Sequence, residues 1–444
     1  MTELVRRNYP IVIMAFNRPD YLKEVLDSLL QQQGACLDER RIALFQDGSY
    51  NEYSQKKYAD PADIAANIAA FRERFPEGAI AHSPTNLGVA LNFDRAERWA
   101  FETLAADAAI FLEDDMVLSP HYIRTVDRML DMAMEDKRIG YVAAYGDWNR
   151  TLAKQHEHPG RLAPLPQNWA FGLTRHQWLK IQSFLEEYLP FVRGIDYRFR
   201  PHTRIYDLYS RYGMERVESS QDRAKLIACA LTGGLRVNTT ACLARYIGRV
   251  GLHSNERLYV ASGFERTEIY PDGDFAIQPV TDEIYEQLMK RQLAHVTASS
   301  PWLDQNTPLA FTRGGNGLPG LRQSFYAPES WGVWSGIVDP VVSVKLPMPH
   351  ESQVRSLWIT ANHYTASLDE DIAVEVKGNG HLLGNIMLGR KQRRVQLPLS
   401  LGVVGQNGIL ELSFHSPSIS SPKDQGQSED GRPLGVGLVK LELE

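Results

Sequence analysis

The sequence predicts an α/β domain with a Rossmann-like, mostly parallel sheet, followed by an all-β domain of the sandwich or jelly-roll type. Two observations lead to this prediction. In the first part of the chain, short apolar runs alternate with stretches of helical periodicity, which is typical of a doubly wound parallel sheet. From about residue 300, short β-like runs separated by turn residues replace the helical pattern, as in antiparallel sandwiches.

The alternating region contains four apolar runs that we expect to be parallel strands, at residues 9–17, 41–49, 79–88 and 108–115. The first run is followed by "RPDYLKEVLDSLL", whose apolar side chains fall on one helical face. Ligands of such sheets bind at the carboxyl ends of the strands. The loops "AFNR", "QDGS", "PTNLG" and "EDD", which follow these four runs, therefore form the candidate site.

The C-terminal region begins after "NTPLAFTRGGNGLPG", a stretch rich in glycine, proline and asparagine that is typical of a linker or exposed loop. We predict a first domain at 1–300, a linker at 301–322 and a β-sandwich module at 323–444. The module is a candidate carbohydrate-binding or interaction domain. Trp331, Trp334 and Trp358 could form a sugar-binding platform or belong to the sandwich core, and the core is the favoured interpretation.

Composition excludes several classes of protein. The net charge of -6 disfavours a general nucleic-acid binder, which needs clustered lysine and arginine. Cys36, Cys229 and Cys242 are too few and too far apart for a disulfide framework or a structural zinc site. No run reaches the roughly 20 apolar residues of a transmembrane helix. We expect a cytoplasmic protein, at most in peripheral contact with the inner face of the membrane.

The most informative stretch is "AAIFLEDDMVLSP", in which a buried run ends in Glu113, Asp114 and Asp115. Such a cluster can simply face water. At the ligand-binding edge of a parallel sheet, however, crowded like charges are tolerated if a cation neutralises them. Carboxylate oxygens favour Mg²⁺ or Mn²⁺, the usual partners of a diphosphate. The sequence therefore predicts a divalent cation that holds a nucleotide.

The motifs "IVIMAFNRPDYLKEVLDSLL", "LFQDGS", "NLGVALNFDRA" and "IFLEDDMVLSPHYI" together resemble the GT-A glycosyltransferases. The tract resembles bacterial family 2 enzymes and the N-acetylglucosaminyltransferase I type, over roughly residues 8–260. The resemblance implies a nucleotide-diphosphate sugar donor, most simply a UDP-sugar, and Mn²⁺ or Mg²⁺ as cofactor. The partners that it implies are this donor and a glycan or lipid-linked saccharide acceptor.

The resemblance also implies roles for individual residues. Asp115 would be the direct metal ligand, while Glu113 and Asp114 would meet the ribose or metal-bound waters. The other residues expected at the nucleotide are Ala15, Phe16, Asn17, Arg18, Asp47, Asn86 and Gly88. Several have a structural alternative: Arg18 as a surface residue at a helix start, Asp47-Gly48 as a tight turn, and Asn86 as a cap or turn residue.

A second cluster, "SSQDRAKLIACALTGGLRV", resembles the family segment that supplies the general base, which would be Asp222. A sugar hydroxyl becomes a competent nucleophile when a carboxylate accepts its proton. The structural alternative is that Asp222 only caps a helix, and Glu218 is the second candidate for the base. His253 in "GLHS" is placed by the resemblance at the metal or diphosphate, unless it is structural.

The segment "NWAFGLTRHQW" resembles the family's loop beside the donor sugar, where Trp169 would stack on the sugar and Gly172 would leave room for it. Trp169 could instead belong to the core at a helix entry.

These motifs favour a metal-dependent inverting glycosyltransferase, hexosyl- or N-acetylhexosaminyl-transferring, that builds a surface polysaccharide or glycan. Two alternatives stay open. A sugar nucleotidyltransferase would need a glycine-rich loop after the first strand, and "AFNRPD" has no glycine. A catalytically inactive GT-A-like protein could use the fold and the β-sandwich to bind glycans.

Overall fold

In the computed structural model, the described residues are 8–165, 167–214, 218–250, 256–297, 300–322, 325–346, 355–400, 403–404 and 409–444. The chain divides into two compact units. The first comprises Met1–Arg200 and Ser220–His295, and the second comprises Pro201–Ser219 and Val296–Glu444. The boundaries expected from the sequence, 1–300 and 323–444, stay predictions.

The α-helices are α1 (Pro19–Leu30), α2 (Pro61–Arg74), α3 (Val89–Arg98), α4 (Tyr122–Glu135), α5 (Leu152–Glu157), α6 (Arg175–Tyr188), α7 (His202–Arg211), α8 (Gln221–Leu231), α9 (Glu256–Ala261) and α10 (Asp282–Ala294). A π-helical turn, Trp99–Thr103, continues α3. Among the described residues, no helix combines the length and the apolar character needed to cross a membrane.

The strands of the first unit are β1 (Ile11–Ala15), β2 (Ile42–Gln46), β3 (Tyr50–Asn51), β4 (Lys56–Lys57), β5 (Ala79–His82), β6 (Ala108–Glu113), β7 (Met116–Leu118), β8 (Ile139–Ala143), β9 (Leu162–Pro164), β10 (Ala170–Thr174), β11 (Leu235–Thr239) and β12 (Ala244–Tyr246). The main sheet has the order β5-β2-β1-β6-β10-β8-β11-β9. Its β5, β2, β1 and β6 are parallel, as are β8 and β11, whereas β10 and β9 run antiparallel to their neighbours.

This sheet confirms the predicted α/β class with a mostly parallel sheet. Strands β1, β2, β8, β10 and β11 consist of buried residues throughout, as expected where both faces of a sheet are covered. The antiparallel β10 was not predicted, because "AFGLT" was interpreted as part of a Trp/Gly segment entering a helix. Its five residues are too few to show a period, and only the pairing with β6 and β8 identifies them as a strand.

The strands of the second unit are β13 (Leu309–Ala310), β14 (Val333–Trp334), β15 (Val341–Lys345), β16 (Arg355–His363), β17 (Ile372–Gly378), β18 (His381–Leu388), β19 (Arg393–Leu399), β20 (Ile409–His415) and β21 (Val436–Leu443). They form two antiparallel sheets, β13-β21-β16-β19, with β14 on β21, and β15-β20-β17-β18. Apolar side chains from both sheets form one buried cluster, which confirms the predicted all-β class.

Two features of this unit differ from the expectation. Leu309 and Phe311, which fall in the predicted linker 301–322, are buried in its core, and β13 pairs with β21. Strand β18 was not predicted, although Asn379-Gly380 before it is a typical hairpin signal. Both residues have positive φ, 45° and 83°, as a primed two-residue turn requires.

The three tryptophans proposed as platform or core are each half-buried. Trp334 lies edge-on to Trp331, with ring centroids 4.9 Å apart. Trp358 lies under the guanidinium of Arg394, 3.8 Å from the ring centroid, and its indole N–H donates to Glu444 Oε2 over 2.6 Å. None of the three is fully buried, so the structure favours neither the sugar-binding platform nor the sandwich core for these side chains.

The first unit contains a buried ion pair between α3 and α8. Lys225 Nζ lies 2.5 Å from Glu97 Oε1, and both side chains are at most 4% exposed. Burial raises the pKa of Glu97, and the charge of Lys225 opposes this shift. Removing one partner leaves the other charge buried and unpaired, which is much more costly than replacing both partners with apolar residues.

We therefore expect Lys225→Met to lower the free energy of unfolding by about 3–5 kcal/mol, since it leaves the Glu97 carboxylate alone in the core. The double variant Glu97→Met/Lys225→Met should regain most of this loss. Arg98→Ala, which breaks the exposed pair with Glu102, is the control and should cost less than about 1 kcal/mol. Urea denaturation followed by circular dichroism measures all three. A Lys225→Met cost no larger than that of Arg98→Ala would contradict the prediction.

Candidate functional site

The site is built where three neighbouring strands end. Strand β1 pairs in parallel with β2 on one side and β6 on the other, and Met14 lies opposite Glu113. The loop after β1 therefore runs beside the acidic end of β6. This pairing brings Arg18 and the three carboxylates together at the carboxyl ends of the strands, the edge where the sequence placed the candidate site.

Arg18 bridges two of these carboxylates. Its Nη1 donates to Asp115 Oδ2 over 2.6 Å, and its Nη2 donates to Asp114 Oδ1. The backbone N–H of Phe16 donates to the other oxygen of Asp114, Oδ2, over 3.1 Å. Asp114 and Asp115 are each 2% exposed. Arg18, the N-cap residue of α1, thus supplies one positive charge to the acidic cluster from within the chain.

Burial dominates the electrostatics of the cluster. It raises the pKa of Asp115 to about 6, against the opposing charge of Arg18. Burial also raises the pKa of Glu113, and the charges of Asp115 and Asp222 raise it further. Burial lowers the pKa of Arg18, but the two aspartates outweigh this effect and leave it above its ordinary value. Arg18 alone therefore does not offset the cost of burying the carboxylates.

One oxygen of the cluster has no hydrogen-bond partner: Asp115 Oδ1, which is fully buried. Its partner oxygen, Oδ2, is held by Arg18, and the backbone carbonyl of Asp115 accepts from Ile247 N over 2.9 Å. A buried carboxylate oxygen without a donor is a suitable ligand for a hard cation.

Asp115 would have to be the main protein ligand of such a cation. Within the described ranges, no group of three or more histidine, cysteine, aspartate or glutamate side chains is arranged to hold a metal ion. His253, the other predicted metal ligand, lies outside the described residues. Magnesium is commonly held by one or two carboxylates together with substrate phosphates and water, and this donor set fits that pattern.

Asp222 lies at the start of α8 but does not cap it. Ser220 is the N-cap residue, and its Oγ accepts from Arg223 N over 3.2 Å. Asp222 Oδ1 instead accepts from Asn168 Nδ2 over 2.8 Å and from Gln221 Nε2. Its carboxylate is therefore held by side chains rather than used by the helix end.

Asp222 continues into a chain of buried polar groups. Asn168 Oδ1 accepts from Arg236 Nη2 over 2.5 Å, and Arg236 is only 1% exposed. Burial raises the pKa of Asp222, while the charges of Arg236 and Lys225 oppose the shift. The charge of Asp222 raises the pKa of Glu113, so Asp222 interacts electrostatically with the acidic cluster. Glu218, the second candidate for the base, is exposed in the second unit.

The carboxylate of Asp47 holds the loop that follows β5. Its Oδ1 accepts from Gly48 N and Leu87 N, over 2.9 and 2.8 Å. Its Oδ2 accepts from Gly88 N over 2.9 Å and from Asn86 Nδ2 over 3.1 Å. Asp47, Asn86 and Gly88 are thus brought together as expected. Both carboxylate oxygens of Asp47 accept hydrogen bonds from the loop. Burial raises the pKa of Asp47, and these hydrogen bonds oppose the shift.

The start of the β1–α1 loop is tied to its neighbours through the backbone. The carbonyl of Ala15 accepts from Asp47 N over 2.9 Å. The carbonyl of Phe16 accepts from Gln46 Nε2 and Asn67 Nδ2, over 2.7 and 2.9 Å. Asn17, which is half-buried, lies between this anchored segment and Arg18.

Trp169 belongs to an aromatic cluster at the same edge. Its ring stacks on Tyr246, with centroids 4.9 Å apart and an interplanar angle of 19°. Trp148 and Phe264 pack against it at 5.4 and 5.7 Å. A Cβ on Gly248 would lie 2.4 Å from Tyr246 Oη and 2.5 Å from Asp115 Oδ2. Tyr246, on which Trp169 stacks, therefore lies close to Asp115, the candidate metal ligand.

Gly172 is not brought to the carboxylates. It lies opposite Ile110 in the middle of the sheet, where a Cβ would meet Leu130 and Val142 at 2.9 Å. Its small size serves the packing of α4 against β10. The expected role beside the donor sugar has no support from this position.

The polar residues that sequence reasoning missed are Asn168, Arg236 and Tyr246. A signal for Arg236 was present, because β11 reads "LRVNT" and all five of its residues are buried. An arginine inside a fully buried strand requires a partner and points to a polar network. Asn168 and Tyr246 carry no such signal, since each is ordinary in a loop or strand end.

Two families match parts of the chain. Residues 11–189 match "Glycosyl transferase family 2", and residues 317–444 match "Domain of unknown function (DUF7024)". The first match confirms the resemblance of the N-terminal domain to the glycosyltransferases that the motifs predicted. It covers the acidic cluster at 113–115 but ends before Asp222.

One relative is an alpha-1,3-mannosyl-glycoprotein 2-beta-N-acetylglucosaminyltransferase from Arabidopsis thaliana, 26% identical over 153 residues. The match covers 33% of this chain and spans 32% of the length of that relative. It supports a glycosyltransferase in general terms.

Two solved structures show limited similarity. The CBM36-1 domain of a multidomain xylanase, from the hindgut metagenome of Trinervitermes trinervoides, is 14% identical over 31% of this chain and 95% of its own, with a TM-score of 0.20. A carbohydrate-binding module CBM36 in complex with calcium and xylotriose is 14% identical over 27% of this chain and 86% of its own, with a TM-score of 0.18. Scores this low establish neither a shared fold nor a shared function.

We expect Asp47→Asn to loosen the loop at 86–88. The amide NH₂ cannot accept from the backbone N–H groups that now bond to the carboxylate, so at least one of them is left without a partner. The loss should be about 1–3 kcal/mol in the free energy of unfolding. Hydrogen exchange should accelerate at Leu87 and Gly88. Asp38→Asn, at the half-buried cap of the 3₁₀-helix Glu39–Arg41, is the control, and equal exchange at Leu87 and Gly88 in both variants would count against this assignment.

Proposed function

We propose that the chain is a metal-dependent inverting glycosyltransferase that transfers a sugar from a nucleotide-diphosphate sugar to an acceptor hydroxyl. The observation that carries the proposal is a convergence at one edge of the sheet. Asp115 offers a buried oxygen without a partner, and Asp222, a carboxylate of raised pKa, acts on the same cluster. The match of residues 11–189 to a glycosyl transferase family supports the reaction class.

In this proposal Asp115 Oδ1 holds Mn²⁺ or Mg²⁺. When bound, the cation supplies stabilisation of the negative charge that develops on the leaving diphosphate. The nucleotide lies along the loops after β1, β2 and β5, next to Arg18, Asn17 and Asn86. A UDP-sugar is the proposed donor. The sugar faces the stacked pair of Trp169 and Tyr246, whose aromatic faces suit the apolar face of a pyranose.

Asp222 acts as the general base. It accepts the proton of the acceptor hydroxyl while the hydroxyl oxygen forms a bond to the anomeric carbon. The bond from that carbon to the diphosphate oxygen breaks in the same displacement, and the nucleoside diphosphate leaves with the electron pair. A single displacement inverts the anomeric configuration. The raised pKa of Asp222 makes its carboxylate a stronger base than an exposed aspartate.

Asn168 and Arg236 position this base. Asn168 donates to the carboxylate of Asp222 from its side-chain amide and from its backbone N–H, and so holds it in one orientation. Arg236 in turn fixes the orientation of the Asn168 amide, because its N–H donates to the carbonyl oxygen. The acceptor in this proposal is a glycan or lipid-linked saccharide, and the product is a surface polysaccharide made in the cytoplasm.

Titration calorimetry with UDP, GDP, CMP and dTDP, each with and without Mn²⁺, tests the donor and the metal. One nucleotide, expected to be UDP, should bind with Mn²⁺ at least about tenfold more tightly than without it, a difference of about 1.4 kcal/mol. Asp115→Asn should abolish this difference, because it removes the charge that holds the cation. Binding of no nucleotide under either condition would overturn the assignment of the site.

The role of Asp222 is tested by Asp222→Asn. We expect the rate of sugar transfer to fall by about 10²–10⁴-fold, the range for a lost general base, with unchanged nucleotide affinity. A variant that transfers sugar at the wild-type rate would exclude Asp222 as the base. Nucleotide binding in the same samples reports whether the site is still folded.

A pH profile tests the link from Arg236 to Asp222. The charge of Arg236 lowers the pKa of Asp222. Arg236→Met should therefore raise that pKa and shift the acidic limb of the rate profile to higher pH, because less of the base is ionised at a given pH. Arg236→Lys keeps the charge and should leave the limb near its wild-type position. A shift of the Arg236→Met limb to lower pH, or none, would contradict the link.

A further inference from the structure

The carboxylate proposed to hold the cation is already bonded to a positive group of the chain. Arg18 Nη1 lies 2.6 Å from Asp115 Oδ2, and the same guanidinium donates to Asp114 Oδ1. The free oxygen, Oδ1, belongs to the same carboxylate. A divalent cation at Oδ1 and the guanidinium at Oδ2 would be separated only by the Asp115 carboxylate. With ordinary metal–oxygen distances this separation is roughly 5 Å.

Two positive charges this close repel one another strongly in a buried site, where little water screens them. The carboxylates of Asp114 and Asp115 are each 3% exposed in their side chains, so the repulsion acts at low effective dielectric. The guanidinium therefore weakens the attraction that Glu113, Asp114 and Asp115 exert on a cation at Oδ1. Cation binding would become stronger once further negative charge entered the site and was shared between the cation and Arg18.

The geometry provides a place for that charge. The side chain of Arg18 is 24% exposed, in contrast to the two aspartates that it contacts. Its position at the end of the β1–α1 loop, beside the ends of β1 and β6, is on the ligand-binding edge of the sheet. An anion that approaches from solvent can therefore reach the guanidinium. A diphosphate carries several oxygens with negative charge, so one oxygen can accept from Arg18 while another binds a cation held by Asp115.

We propose that Arg18 makes binding of the divalent cation conditional on a nucleoside diphosphate. Without the nucleotide, Arg18 occupies the acidic cluster and repels the cation. When the nucleotide is bound, its diphosphate supplies negative charge that both the guanidinium and the cation contact. The nucleotide and the cation therefore each increase the affinity of the chain for the other. This inference rests on the proposed function, because it takes Asp115 as the metal ligand and a nucleoside diphosphate as the leaving group.

An opposing interpretation makes Arg18 a support for the metal site. In that case its bond to Oδ2 orients Asp115 and leaves Oδ1 free, and its removal would weaken cation binding. The two interpretations predict opposite signs for one measurable quantity, the affinity for Mn²⁺ in the absence of nucleotide.

The experiment is a Mn²⁺ titration of the full chain, in which electron paramagnetic resonance measures free Mn²⁺, without nucleotide and with UDP, GDP or dTDP. Arg18→Gln removes the charge. We expect it to bind Mn²⁺ without nucleotide at least tenfold more tightly than the wild type, and to show a smaller gain when the nucleotide is added. Lys23→Gln, on the exposed side of α1, removes the same charge away from the cluster and should match the wild type.

Arg18→Lys keeps the positive charge while losing the two-pronged contact. Its affinity for Mn²⁺ without nucleotide should stay within about threefold of the wild type, so this variant tests the inference even if Arg18→Gln does not fold. Tenfold tighter binding by Arg18→Lys would contradict it. Asp115→Asn should bind no Mn²⁺ under any condition.

The outcomes separate the two levels of the proposal. Nucleotide-dependent Mn²⁺ binding by the wild type, with equal or weaker nucleotide-free binding by Arg18→Gln, overturns the role of Arg18 and leaves the proposed function standing. If the wild type and Arg18→Gln bind no Mn²⁺ with or without any of the nucleotides, the metal site itself is wrong and the inference is overturned with it.

Discussion

The architecture of the first unit depends on keeping three adjacent carboxylates at the end of a buried strand. Glu113, Asp114 and Asp115 repel one another, and burial raises this cost because water cannot screen their charges. Arg18 offsets part of it from the neighbouring strand end. The parallel pairing of β1 with β6, the anchoring of the β1–α1 loop and the position of α1 all place this one guanidinium.

A second set of buried polar groups lies beside the first and has a different character. Asp222, Asn168 and Arg236 form a directed chain of hydrogen bonds, and Lys225 pairs with Glu97 close by. Such networks cost desolvation energy and rarely add much stability over an apolar core. The chain from Arg236 through Asn168 to Asp222 is therefore better explained by function, namely a carboxylate held in one orientation with a raised pKa.

The sequence by itself determined the class of fold, the alternation of the first strands with helices and the position of the acidic cluster at the end of a strand. These features depend on local information: apolar runs, helical periodicity and turn residues, all of which are visible within 10 to 20 residues. Asp47, Asn86 and Gly88 were placed together for the same reason, since parallel strand ends share one edge. The nucleotide and the cation inferred from residue types at those ends stay predictions.

Only the tertiary structure decided which side chains meet and what remains free. It paired Arg18 with two aspartates, left Asp115 Oδ1 without a partner, and placed Gly172 in the core rather than beside the site. It also inserted β10 antiparallel between β6 and β8. These outcomes depend on contacts between residues that are far apart in the chain, such as Arg18 and Asp115, whose sequence separation is 97. Local pattern carries no information about such contacts, because their energies exist only once the sheet has formed.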